Sequence, residues 1–167
     1  MALVLVTGMS GTGKSSALEV LASRGHRVVD ADGDAWSMWA KDDLGEDDWI
    51  WREDRMTRLL DEHRDRDGHL FIAGCASNQG RFYRRLDHVV LLSAPAAVLV
   101  DRVTHRTNNP YGKSPEEQAL ILRYLREVEP VLRSTSTAEI DATAPLHDVV
   151  RQLEAIAESP STMRRGS

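Results

Sequence analysis

Gly8-Met9-Ser10-Gly11-Thr12-Gly13-Lys14-Ser15 is the stretch on which the fold turns. It fits G-x-x-x-x-G-K-[ST], and each fixed position has a physical task. Glycines let successive backbone N–H groups turn inward around an anion without Cβ clashes. A helix beginning after Gly13 aims its positive end at that anion. Lys14 adds a full positive charge and Ser15 a hydroxyl that can reach a divalent cation. Gly8, Ser10, Gly11, Thr12, Gly13, Lys14, Ser15 and Ser16 are therefore the candidate phosphate-binding residues.

The motif sits between two segments with the patterns it needs. Residues 2–7 are short, continuously apolar and closed by Gly8, the signature of a buried strand. Residues 14–24 place Ala17, Leu18, Leu21 and Ala22 on one helical face. Further along, strands are expected at 27–30, 69–73, 88–92 and 138–141. Helices are expected at 48–66, 95–106, 116–132 and 146–157. This alternation predicts an α/β layered fold with a parallel sheet.

With 167 residues, the chain suits one domain with a real core. A net charge of −5 argues against a nucleic-acid partner. A single cysteine, Cys75, excludes an intrachain disulfide and is read as a small core filler. The apolar run at 2–6 is too short for a membrane span and lacks the basic lead of a signal peptide, so a cytoplasmic protein is expected.

Three further stretches carry candidate chemistry. Asp30-Ala31-Asp32-Gly33-Asp34 follows a strand end, where open α/β sheets bind ligands. Carboxylates so close together call for a cation, and Mg²⁺ favours carboxylates together with phosphate oxygens. Between the second and third strands lie all four tryptophans, Trp36, Trp39, Trp49 and Trp51, with Arg52 and Arg55. Their indoles either pack this arm on the core or stack on a flat acceptor, and a guanidinium suits a carboxylate or phosphate. Gly74 and Asn78 follow the third strand and supply a close turn and a polar group for a hydroxylated acceptor. Arg102 and Arg106 share a helix face and lead into a turn-rich loop with Lys113 at its tip, the pattern of a basic lid.

Taken together, these features resemble the shikimate kinase, gluconate kinase and nucleoside monophosphate kinase group of P-loop kinases. The resemblance implies a five-stranded parallel sheet of order 2-3-1-4-5, with helices on both faces and a short lid. It implies one kinase domain over 1–158, with a substrate arm at about 33–67 and a lid at about 106–115; residues 159–167, small, polar and basic, read as a flexible tail. ATP and Mg²⁺ are the implied cofactors. Ser15 and Asp30 would hold the metal. Asp32 would bind the acceptor and take its proton, beside Lys14, Arg106 and Arg102 as catalytic cations. Asp34, Arg52, Arg55, Gly74 and Asn78 complete the implied acceptor site. Trp51-Arg52 resembles the Phe-Arg pair that holds the shikimate carboxylate, and residues 140–145 resemble the turn beside adenine.

The expected function is transfer of the ATP γ-phosphoryl to a small molecule by a monomer or homodimer. Three acceptor types stay open: a nucleoside or nucleotide, a carboxylated or polyhydroxy metabolite, and a hydroxylated antibiotic. The competing class is an ATP-dependent switch acting on a macromolecular partner. The guanine-selective Asn/Thr-Lys-x-Asp motif is absent, which weighs against a GTPase.

Overall fold

A computed structural model describes residues 1–162. The chain runs β1 (Leu3–Thr7), α1 (Lys14–Ser23), β2 (Arg27–Asp30), β3 (Ser37–Lys41), β4 (Asp47–Trp51) and α2 (Glu53–Arg64). Then come β5 (Leu70–Ala73), a 3₁₀ helix (Gln79–Arg85), β6 (His88–Ser93), α3 (Ala96–His105), α4 (Pro115–Glu127), α5 (Glu129–Thr135), β7 (Ala138–Asp141) and α6 (Leu146–Glu158). Five strands form a parallel sheet of order β2-β5-β1-β6-β7, the anticipated 2-3-1-4-5 when sheet strands alone are counted.

The strands alternate their side chains between two helical layers, as a pleat requires. Val4, Val6, Phe71, Val90 and Leu92 pack with Leu18, Leu21, Val150 and Leu153 of α1 and α6. Leu5, Ile72 and Val89 face the other way, onto Met56, Leu59 and Leu60 of α2. Because β1 lies at the centre of the sheet, its end is held rigidly, and the loop that follows inherits that rigidity. Gly8 makes the turn at φ 150°, where a Cβ would overlap the Leu92 carbonyl oxygen.

Two helix expectations need correction. Residues 48–51 are strand, not the first turn of a long helix, and Arg52 caps the helix that follows: β3 and β4 form an antiparallel hairpin outside the main sheet, with Trp39 opposite Trp49. The helix expected over 116–132 is broken at Val128, where Pro130 in the next first turn removes a donor and starts α5 afresh. Of the segment 159–167, Thr162 donates its main-chain N–H to Asp87 O at 3.1 Å, placing this stretch beside the start of β6. Residues 163–167 lie outside the described residues.

His63, on the inner face of α2, is 1% exposed, and neither ring nitrogen has a hydrogen-bond partner. Burial, reinforced by the charges of Arg27, Arg66 and His69, pushes its pKa below the ordinary histidine range; the Gly68 backbone opposes this. The folded state thus refuses a proton that the unfolded chain accepts below about pH 6.5. Stability therefore falls as the pH drops from about 7 to about 5, and His63→Met flattens that slope. Thermal unfolding of both proteins across this range checks it; parallel slopes would refute the assignment.

Candidate active site

The phosphate loop is shaped by its own side chains. Buried Thr12 donates its Oγ1 proton to Met9 O at 2.9 Å, tying the loop across its width. Gly13 adopts φ 91° and caps α1, so the helix starts at Lys14 with its N-terminal N–H groups turned to the loop. Lys14 Nζ donates to Gly8 O at 2.6 Å and to Met9 O at 3.1 Å. A phosphate arriving in the loop competes for this cation with carbonyls, which are weaker partners than an anion.

Asp30 closes β2 and faces α1. Its Oδ2 accepts from Ser15 Oγ at 2.9 Å, and its Oδ1 from Asp32 N at 3.2 Å. The hydroxyl and carboxylate assigned to a metal from the sequence are thus in direct contact. Asp32 keeps one side open to the cavity, while protein crowds its carboxylate elsewhere. That burial pushes its pKa up; Lys14 and the N–H of Cys75, which donates to Asp32 Oδ1 at 3.0 Å, pull it down, and Asp30 pushes up again.

Asp30 and Asp32 share one cavity of about 880 Å³ with Ser10–Ser16 of the loop, Arg102, Arg106 and Ala142. Arg102 donates to Ala142 O at 2.6 Å and to Gly11 O at 3.4 Å, bracing the turn after β7 against the phosphate loop. It stands at the floor of the cavity and not in a lid. Arg106 donates Nη2 to Tyr111 O at 2.7 Å, while its buried Nε has no partner. Burial lowers its pKa, and Tyr111 and Glu117 oppose the shift. Lys113 does not reach over the cavity. Its ammonium donates to Thr104 O and Arg106 O at 2.8 and 2.7 Å, pinning the loop to the carbonyl end of α3.

The acceptor residues read from the sequence lie behind Asp32, and none of Asp34, Arg52, Arg55, Gly74 and Asn78 lines this cavity. Arg52 Nε donates to Asp34 O at 3.3 Å, and Arg55 Nη1 to Ala35 O, so both arginines clamp the backbone of the acidic turn. Asn78 turns both ends of its amide to Trp51: Nδ2 donates to Trp51 O and Oδ1 accepts from Trp51 N, each at 3.0 Å. Its side chain thereby extends the pairing of β4 and is not offered to a ligand. Gly74 allows close approach: a Cβ there would lie 2.9 Å from Asp32 Oδ1.

Two side chains brace the site in ways that their sequence context does not indicate. Trp49 donates its indole N–H to Asp32 O at 3.2 Å, which only the Trp-x-Trp alternation of a strand could have suggested. Buried Gln79 accepts from Ala76 N at 2.9 Å and donates to Thr7 Oγ1 at 3.2 Å, tying the loop after β5 to β1. Its sequence context, the polar stretch Ser77-Asn78-Gln79 at a strand end, suits a group that orients a hydroxylated acceptor, but the structure turns Gln79 inward instead.

A family model described as an AAA domain matches residues 4–123. No curated protein matches the chain at a significant level. Among solved structures, a shikimate kinase from Acinetobacter baumannii in complex with shikimate is 18% identical, with a TM-score of 0.64 over 93% of this chain and 92% of that one. A gluconokinase from Sinorhizobium meliloti is 21% identical, with a TM-score of 0.62 over 94% of each chain. A shikimate kinase from Bacteroides thetaiotaomicron is 16% identical, with a TM-score of 0.59 over 95% of this chain and 99% of that one. The likeness is one of fold, and it extends over nearly the whole chain. Among the described residues, no helix is long and apolar enough to cross a membrane.

Proposed function

We propose that this chain, which belongs to the AAA domain family, transfers the γ-phosphoryl group of ATP to a hydroxyl of a small molecule. The observation that carries this reading is the convergence, in one cavity, of the phosphate loop, the Ser15–Asp30 pair and Asp32. A nucleotide-dependent switch needs the first two of these but not a carboxylate such as Asp32 on the acceptor side. A carboxylate with a raised pKa, placed beside the phosphate site, is what proton removal from an attacking hydroxyl requires.

The residues fit ATP and Mg²⁺. The loop has room for an anion where Lys14 now holds only carbonyls, and Ser15 with Asp30 offers the small oxygen set that Mg²⁺ takes when phosphates complete its shell. Bound there, the metal supplies charge neutralisation on the phosphate oxygens. Lys14 leaves Gly8 O and Met9 O to face the β- and γ-phosphates. Arg102 holds the turn after β7 in place for the base. Arg106, with an unpaired Nε at the cavity wall, meets charge developing on the transferred group, and the loop over 106–115 keeps water away. Asp32 orients the acceptor hydroxyl and takes its proton. Arg55 maintains the acidic turn; Arg52 does the same through Nε and turns its remaining N–H groups to the acceptor. Asp34, Gly74 and Asn78 shape the acceptor side from behind.

The test is ADP release from Mg·ATP across nucleosides, nucleoside monophosphates, sugar acids, shikimate and hydroxylated antibiotics. One acceptor is expected to raise the rate about tenfold or more above the acceptor-free rate, a change of about 1.4 kcal/mol in barrier. ADP release that ignores every small molecule and responds only to a macromolecular partner would instead establish the switch reading.

A further inference from the structure

The structure divides the four tryptophans into two kinds. Trp51 is 1% exposed and Trp36 packs against the same core cluster, so both belong to the interior. Trp39 and Trp49, opposite each other on β3 and β4, belong to neither core cluster. Trp39 is 65% exposed. Its ring meets that of Trp49 edge-on, with centroids 5.1 Å apart and planes at 65°. Such a pair sets the orientation of both rings. Neither ring lines the cavity of the phosphate loop, so a nucleotide bound there does not cover them.

Stapling the hairpin does not account for the pair. Cross-strand aromatic pairs do stabilise two-stranded sheets, but a staple gains nothing from leaving a large apolar ring mostly in water. Nor is the pair anchored to the hairpin alone. Trp49 donates its indole N–H to Asp32 O at 3.2 Å, so its ring abuts the acidic turn. Trp39 stands one ring further out. Ser37 Oγ, also on β3, donates to Ala31 O at 2.6 Å and ties the hairpin to that turn at a second point. The rings are thus held next to the turn that carries Asp32.

The charges beside the pair limit what can cover it. Residues 42–48 hold Asp42, Asp43, Glu46, Asp47 and Asp48 and no basic residue, and Lys41 is engaged by Asp47 at 2.7 Å. Phosphate-rich surfaces such as nucleic acid or an anionic membrane are repelled here. A small flat molecule is not, because a ring face is all it asks of the pair.

We propose that Trp39 and Trp49 form a stacking wall of the acceptor site, so that the acceptor carries a planar aromatic ring. The inference rests on the proposed phosphoryl transfer and narrows its acceptor. Polyhydroxy acids and puckered carbocycles present no aromatic face and gain little from the pair. A nucleobase and a phenyl group both present one, and the test tells them apart.

The test is binding to the full chain saturated with Mg·ADP, which fills the nucleotide site and prevents turnover. The ring-bearing probes are adenosine, cytidine, uridine, their 5′-monophosphates and phenyl β-glucoside. The ringless controls are methyl β-glucoside, gluconate and shikimate. At least one ring-bearing probe is expected to shift the Trp39 and Trp49 indole N–H resonances, and Trp39→Ala to weaken its binding about tenfold or more. Trp39→Phe keeps a ring face and should hold affinity to within about threefold. Met38→Ala, on the opposite face of the same strand, should bind as the parent does. The proposal is overturned if no ring-bearing probe shifts the resonances, if the ringless controls bind equally well, or if Trp39→Ala binds unchanged. Equal loss in Met38→Ala also overturns it, because the hairpin as a whole would then be at fault. So does an indole response to protein concentration alone, which would make the pair a contact between two copies of the chain. None of these readings needs turnover. A chain that binds ring-bearing probes through Trp39 and phosphorylates none of them sinks the kinase reading and leaves the wall standing; phosphorylation of a ringless acceptor does the reverse.

Discussion

Lys14→Ala removes acceptor-dependent ADP release, with kcat falling about a thousandfold or more. The size follows from where the charge sits. Lys14 stands at the first turn of α1, half-buried, and its ammonium reaches back across the loop to Gly8 O and Met9 O. No other cation among the described residues is placed inside the loop. Arg102 touches it only from the floor, at Gly11 O. Losing Lys14 therefore removes the one full positive charge inside the loop, where only backbone N–H dipoles remain, and leaves Arg106 at the cavity wall to meet the γ-phosphoryl group without it. The protein should remain folded, because Lys14 contributes no side chain to the core and Thr12 still ties the loop to Met9. Steady-state ADP release together with a thermal melt checks both statements. A folded variant that retained more than about a tenth of the rate would remove Lys14 from the reaction.

Asp32→Asn is expected to separate nucleotide binding from turnover. The substitution keeps the shape and the contact with Cys75 N through its amide oxygen, but it removes the proton acceptor. Nucleotide affinity stays within a few fold, while kcat falls about 10² to 10⁴-fold. The pH profile provides a second readout. Burial holds the Asp32 pKa above the ordinary carboxylate range, and the reaction needs the ionised form. Activity of the parent protein therefore declines as the pH falls through this raised value, and the residual activity of Asp32→Asn has no such acid limb. Equal kcat in the two proteins, or an acid limb that survives the substitution, would assign the proton to another group.

The phosphate loop and the sheet around it are legible because each depends on local chemistry. Glycine spacing, a strand before and a helix after suffice to place Gly8, Lys14 and Ser15. Strand-end position then brings Asp30 and Asp32 to them. The hairpin was not legible for a physical reason. Trp49, Met56, Leu59 and Leu60 satisfy a helical period, while Trp49 and Trp51 also satisfy the two-residue period of a strand. The Asn78 amide decides between the two from 27 positions away, by pairing with the main chain of Trp51. Asn78, Arg55 and Lys113 teach a related lesson. Residue type shows that a side chain will seek a partner, but not whether the partner is a ligand or a nearby carbonyl. In all three the carbonyl wins, since buried or half-buried backbone oxygens at turns and helix ends also need donors.

The separation of the β3–β4 hairpin from the main sheet has an evolutionary meaning. It shares no ladder with the five parallel strands and is joined to them by side chains: Ser37 to Ala31 O, Trp49 to Asp32 O, and Asn78 to Trp51. Mutations that reshape its outer strand therefore do not propagate into the register of β1 or into the loop that follows it. Under the proposed function, the phosphate loop and the acceptor side would then sit on parts of the chain that can vary independently of one another.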